Sequence, residues 1–208
     1  YCKAWLKALG AADLRPWPVE REAGALARPE HGLDAMPELA ALGFEPGRLD
    51  EVALPTGMSG AEELLRDFLP RIDRYDSARD YPARKGPSYL SAHLRFGTVS
   101  IRRLAALARE RNSGGARTWL SELIWREFYR HVLVGFPRVS MGRPFKRATD
   151  GVAWRYDEAD FASWCEGRTG VPIVDAGMRQ LAATGWMHNR LRMIVAMYLT
   201  KDLLIDWR

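Results

Sequence analysis

Four side chains set one helical turn apart, Glu122, Trp125, Arg126 and Tyr129, fall within an arc of about 100° when successive residues advance by 100°. A carboxylate, an indole, a guanidinium and a phenol on one face can stack on a planar base, hydrogen-bond its edge and hold a phosphate. The same spacing also suits a plain packed helix, in which Glu122 pairs with Arg126 at i,i+4 for only ~0.3 kcal/mol. A second group stands at Trp186-Met187-His188-Asn189-Arg190. There Asn189 both donates and accepts, Arg190 and Arg192 bring charge, and Trp186, Asn189, Arg192, Met193 and Ala196 lie toward one side of a helix. Capping and packing of that helix is the alternative use. His131, four residues after Glu127, reads as a hydrogen-bonded structural histidine, because no further ligand is spaced for a metal. The eight Trp are a high count that core filling alone could absorb.

These groups need rigid elements to hold them, and the apolar spacing supplies helices. Ser59 with Glu62 forms a capping-box pattern ahead of Leu64, Leu65, Phe68, Leu69 and Ile72, which predicts a first helix. A second starts after Ser100, and Gly114-Gly115 marks the break behind it. The third runs from about Arg117 to Val134, with Leu120, Leu123, Ile124 and Phe128 opposite the equipped face. Pro172 suits the first turn of a fourth that ends at Thr184-Gly185, and a fifth covers roughly Trp186 to Ile205. Apolar residues surround this last helix from Met193 to Leu199, which implies deep burial. No stretch alternates with period two, so the fold class is all-α. Residues 1–55, rich in Pro, Gly and Ala, read as an extended linker with one or two short helical turns; residues 56–208 read as the helical domain.

Composition narrows the classes further. An excess of 31 basic over 26 acidic residues gives a net charge of +5, which draws polyanions, although a solvated basic surface has the same composition. Cys2 and Cys165 are too few for a metal cluster or a disulfide framework and fit a reducing, intracellular compartment. The longest uncharged apolar run, Met193 to Leu199, falls far short of the ~18 residues that a membrane span requires, so a soluble protein is expected.

The stretch Ser121 to His131, the run Thr169 to Arg179, and the block Gly185 to Met193 continuing from Lys201 to Arg208 resemble the signature of class I DNA photolyases of the photolyase/cryptochrome family. The similarity covers about Gly60 to Arg208. The leader, with Trp5-Leu6 and Leu39 to Phe44, is similar to the segment that joins that family's antenna domain to its flavin domain. The resemblance implies FAD held in a helical cage, active in its reduced form. Blue light then drives an electron to a cyclobutane pyrimidine dimer flipped out of DNA. It implies a second antenna chromophore in an N-terminal domain outside this chain, damaged DNA as the partner, no membrane association, a monomer and an intracellular location.

Residue by residue, the resemblance assigns Tyr75, the loop Pro87, Ser88, Tyr89, Leu90 and Ser91, Trp119, Arg126 and Arg192 to the cofactor. It assigns Arg79, Glu122, Trp125, Arg126, Tyr129, Asn189 and Arg190 to DNA, with Glu122, Trp125, Asn189 and Met193 against the lesion. Trp154 and Trp207 match the outer and middle members of the family's electron-transfer chain. Pro87 stands where the family usually has Thr, and Tyr89 where it often has Arg or another residue; Pro87 removes a hydroxyl and a backbone N–H, which implies weaker FAD binding, although Ser88 and Ser91 remain. The chain, beginning at Tyr1, ends before the family's paired aspartates, its flavin-facing Asn and its innermost Trp, so the segment alone is expected to be inactive. Asn189 and Met193 stand where six-four photoproduct enzymes tend to carry histidines, which favours the cyclobutane substrate. The competing expectation is a cryptochrome photoreceptor without repair.

Overall fold

A computed structural model describes residues 1–17, 19–25, 37–44 and 54–207. Its regular elements are α1 (Cys2–Ala8), α2 (Gly57–Phe68), α3 (Tyr75–Ala78), α4 (Ser91–Phe96), α5 (Ile101–Arg111), α6 (Gly114–Gly135), α7 (Glu158–Cys165), α8 (Pro172–Thr184) and α9 (Asn189–Met197), with short 3-10 turns between. No strand occurs among the described residues, and the fold is all-α.

Two apolar cores organise these helices. The larger joins Leu65 and Phe68 of α2, Ile72, Leu90, Leu104 and Ala108 of α5, and Ala116, Trp119, Leu120, Leu123 and Ile124 of α6. The smaller consists of Val174 and Met178 of α8, Met187, and Leu191 and Val195 of α9. On α2 the buried positions Ala61, Leu65 and Phe68 recur at three to four residues, as one buried helical face requires.

Several helix ends differ from the sequence expectation. α2 starts at Gly57 behind Thr56, and Ser59 caps nothing; Glu62 instead takes Nη1 and Nη2 of Arg103 at 2.6 and 3.1 Å. Gly114-Gly115 is no break. Asn112, left-handed at φ 46°, ends α5, and the two glycines open α6 with the Ser113 hydroxyl accepting from Ala116 N at 3.1 Å. A Cβ on Gly115 would stand 2.1 Å from the Ile72 carbonyl oxygen, so glycine is there to let α6 touch the turn between α2 and α3. The fifth predicted helix begins only at Asn189, where His188 Nδ1 caps Arg190 N at 3.1 Å, and passes into a π turn over Tyr198–Asp202. One stripe of it is buried, Leu191, Val195 and Leu199; Met193 and Met197 are about half exposed, contrary to burial on every side.

α8 matches expectation from Pro172 to a left-handed Gly185. The Asp175 carboxylate ties down its approach by accepting from Thr169 N, Thr169 Oγ1 and Gly170 N at 2.8, 2.6 and 3.0 Å. These bonds, the Thr169 hydroxyl foremost, hold its pKa below the usual carboxylate range.

The first seventeen residues of the leader dock on the helical body. Trp5 and Leu14 pack on the larger core, and Arg102 Nη1 donates to the Asp13 carbonyl at 2.6 Å. The Tyr1 hydroxyl meets His131 Nδ1 at 3.1 Å, while His131 Nε2 lies 3.5 Å from Glu127, the structural use expected of that histidine. Of the predicted linker, Pro18 and residues 26–36 and 45–53 lie outside the described residues.

Candidate functional site

The two cores leave a cavity of about 270 Å³ between them. α3 contributes Tyr75, the turn after it Arg79, and α6 contributes Glu122; the loop Pro87 to Ser91 forms a further wall. Trp186, Met187, Asn189 and Arg192 close it from the side of the smaller core. Seven of the residues assigned to a cofactor, Tyr75, Pro87, Ser88, Tyr89, Leu90, Ser91 and Arg192, thus share one hollow with Arg79, Glu122 and Asn189 of the DNA set.

The others lie elsewhere. Trp119 is a core residue at 3% exposure, 5.0 Å ring to ring from Phe68, and does not line the cavity. One turn beyond Glu122, Trp125 is 50% exposed in an aromatic cluster with Phe128 at 5.3 Å and Tyr129 at 6.0 Å. Arg126 spends an Nη2 donor on the Leu94 carbonyl at 2.8 Å rather than pairing with Glu122, and burial lowers its pKa. Met193 is half exposed beside the Arg190 guanidinium, its sulfur 3.6 Å from Nη1. Trp154 is partly buried with an indole N–H that finds no acceptor among the described residues, whereas Trp207 is exposed.

A chain of charges spans the cavity mouth. Arg79 Nη1 donates to Glu122 Oε1 at 2.5 Å, Arg79 Nε lies 3.6 Å from Asp80 Oδ1, and Arg190 Nη2 donates to the same Asp80 oxygen at 2.6 Å. Arg79 therefore links the segment after α3 to α6, and Asp80 links it to α9. The Arg190 hydrogen bond first, then the charges of Arg190 and Arg79, hold its carboxyl below the usual range. Asp80 was not among the residues singled out from sequence; its signal was a carboxylate adjoining Arg79 in a chain otherwise rich in cations. Trp186 and Met187 were likewise left out of the assigned set. Trp186 stands 5.5 Å ring to ring from Tyr89, whose backbone is left-handed at φ 58°.

Electrostatically the cavity favours an anionic, ring-bearing ligand. Burial pushes the Tyr75 phenol up to about 12, so it stays a neutral donor. Ser88 and Ser91 offer hydroxyls. Arg192 anchors Nε on the Met187 carbonyl at 3.0 Å and has no carboxylate partner among the described residues, which leaves its terminal N–H groups for a phosphate. Tyr89 and Trp186 supply faces for a heteroaromatic ring. This donor set fits the phosphate and ring portions of a flavin dinucleotide, and Pro87 adds only a carbonyl, as its missing N–H dictates. No group of three or more His, Cys, Asp or Glu side chains among the described residues could hold a metal ion.

Helices and cavity together define a helical flavin-binding domain. Residues 119–208 match the family described as the FAD binding domain of DNA photolyase. The deoxyribodipyrimidine photo-lyase of Vibrio cholerae is 50% identical over 171 residues, which are 79% of this chain and 36% of that protein. A class III photolyase from Agrobacterium tumefaciens aligns at TM-score 0.76 and 36% identity over 88% of this chain and 39% of its own. A Synechocystis cryptochrome aligns at TM-score 0.72 and 29% identity over 83% of this chain and 38% of its own. The chain belongs to the DNA photolyase/cryptochrome family. It spans 36% to 39% of the length of these relatives.

Proposed function

We propose that this chain is the flavin- and DNA-binding part of a class I enzyme that uses light to split cyclobutane pyrimidine dimers, acting as a monomer on intracellular DNA. The observation that carries the reading is the single cavity in which Glu122 and Asn189 face the same space as the Ser88 and Ser91 hydroxyls and the Arg192 guanidinium. Bound reduced FAD supplies the photoexcited electron for the reaction.

The chain's own groups do the rest. Tyr75, Ser88, Ser91 and Arg192 hold the phosphate-bearing ligand, while the larger core behind Tyr75 and Leu90 keeps that side dry. Glu122, fixed by Arg79, and the Asn189 amide present hydrogen-bonding groups to the edge of a flipped pyrimidine pair. Trp125 and Tyr129, half or more exposed one and two turns along α6, offer stacking faces at the entrance. Met193 packs beside the lesion, and Arg190 and Arg126 serve nearby phosphates. Trp154 and Trp207 serve as outer and middle members of an electron-transfer chain. Residues 1–55 act as the linker from an antenna-bearing domain and 56–208 as the helical domain.

The cryptochrome neighbour favours a second reading, a blue-light receptor that keeps the flavin and does not repair. One experiment separates the two. A chain of the relatives' full length that carries this segment is loaded with FAD, reduced and illuminated with dimer-containing single-stranded DNA. Loss of dimer in light supports repair; bound flavin with no loss of dimer contradicts it and favours the receptor reading. In the same protein Trp125→Ala weakens binding of damaged DNA by about 1 to 3 kcal/mol and of undamaged DNA far less. Equal losses contradict the stacking role.

A further inference from the structure

Behind the loop that walls the front cavity lies another hollow, of about 190 Å³. Arg71, Arg74, Arg84 and Lys85 line it, together with Ser77 and the backbone at Gly86. Four cations and no carboxylate face this space. Asp67, outside the lining, takes Arg71 at 2.5 Å and Lys85 at 2.8 Å, and the Lys85 bond foremost keeps its pKa low. Arg74 and Arg84 have no carboxylate partner among the described residues. Arg84 is nevertheless not a free-swinging side chain, because its guanidinium lies 4.4 Å over the Tyr81 ring, which orients the fork while leaving its N–H edge open.

Asp67 offsets two of these charges from outside the hollow, and the two that remain, Arg74 and Arg84, raise the energy of the folded state by their repulsion, which an anion seated between them relieves. Guanidinium forks match phosphate oxygens in pairs, and the volume suits one phosphate group better than a nucleotide. The partition between the two hollows is thin. A Cβ on Gly86 would stand 2.5 Å from the Ala78 carbonyl oxygen, so the loop backbone presses on α3. Arg71, which faces the rear hollow, donates through Nη1 to the carbonyls of Lys85 and, at 3.4 Å, Pro87.

We infer that this rear hollow is a phosphate-binding site separate from the front cavity. Its ligand is a phosphate group, carried either by a free phosphate or pyrophosphate ion or by a nucleic-acid strand that runs outside the front cavity. Nothing in the flavin or lesion reading is needed for it.

The test titrates the 208-residue chain calorimetrically with inorganic phosphate and pyrophosphate at low chloride. In parallel it measures binding of an undamaged single-stranded oligonucleotide across a salt series. The double variant Arg74→Glu/Arg84→Glu, the milder Arg74→Gln/Arg84→Gln and the front-cavity variant Arg192→Ala are compared, with helical circular dichroism as the check on folding. A free-anion site loses at least tenfold in phosphate or pyrophosphate affinity in both double variants and less than twofold in Arg192→Ala. A strand site leaves free phosphate alone, weakens the oligonucleotide and makes the salt slope shallower by about 0.7 per lost contact. Unchanged binding of all three ligands in the folded double variants, or a loss confined to Arg192→Ala, overturns the site.

Discussion

The front cavity is walled by two regions built on different principles. Its first wall, with Tyr75, the Pro87 to Ser91 loop and Glu122, rests on a core of twelve buried residues that draws on α2, α5 and α6. Its second wall, with Trp186, Asn189 and Arg192, rests on five buried residues of α8, α9 and the turn between them. Across the opening the two are joined by polar and aromatic contacts, Arg190 to Asp80 and Trp186 against Tyr89. A site assembled this way has one wall set by bulk packing and another that small forces can adjust. Adjustable walls are drawn from the less stable part of a fold, which is where binding and release need freedom.

If the larger core is the foundation of both walls, the greatest damage comes from emptying it. Phe68→Ala, at a fully buried position, costs about 3–5 kcal/mol by urea denaturation, and all helices lose protection together. Selective loss of α2 alone would break the hierarchy. Next in size, Leu191→Ala in the smaller core costs about 2–4 kcal/mol, and hydrogen exchange shows α8 and α9 opening while α6 amides stay protected. Equal acceleration in α6 would merge the two regions into one cooperative unit.

The cross-cavity tie is worth less. Asp80→Asn lowers stability by about 1 kcal/mol or less, because Asp80 is half exposed and surface pairs are screened. Its larger consequence is positional: Arg190 and Arg79 lose their shared anchor, and damaged-DNA affinity falls several-fold in a binding assay while the melting temperature hardly moves. A melting shift without a binding change would reduce Asp80 to ordinary surface pairing.

The smallest effect sharpens the same boundary by pH. His188, buried beside this tie, has its pKa lowered from 6.5, chiefly by burial, against an upward pull from Asp80. A depressed folded pKa means that the unfolded chain binds the proton more readily, so stability present above about pH 6.5 is lost as pH falls through the folded value. The lowered carboxyls of Asp80, Asp67 and Asp175 act only lower, from about pH 4 downward. His188→Asn keeps a side-chain cap for Arg190 N and removes the titration, so urea midpoints measured between pH 7.5 and 5.5 flatten relative to the unsubstituted chain. An unchanged slope would assign the pH response to another group.

The larger region was the more legible from sequence, for a physical reason. Amphipathic spacing reports which face of a helix is buried, and Leu120, Leu123 and Ile124 on α6 obeyed it. The same rule misjudged α9, where Met193 and Met197 are apolar yet half exposed; periodicity records apolar character, and exposure depends on neighbours from distant sequence. Local capping rules also had a limit. Ser59 with Glu62 had the pattern of a cap, but Arg103, 41 residues away from Glu62, took its carboxylate. In the site, one-turn spacing put Glu122 and Trp125 on one stretch of α6, but only the structure separates Glu122 in the cavity from Trp125 on the surface. For Asp80 the sequence offered only its place beside Arg79, because its role comes from an arginine 110 positions away.

On the function proposed above, the cavity between the two regions is where a flavin dinucleotide sits. Equilibrium titration with FAD, followed by flavin fluorescence in a chain of the relatives' full length, tests it through Arg192→Ala. Loss of one charged donor to a phosphate is worth about 1.5–3 kcal/mol, so the dissociation constant rises roughly 10- to 150-fold, with Arg74→Gln/Arg84→Gln unchanged as the control. FAD bound equally well with and without Arg192 would place the flavin elsewhere and contradict the account.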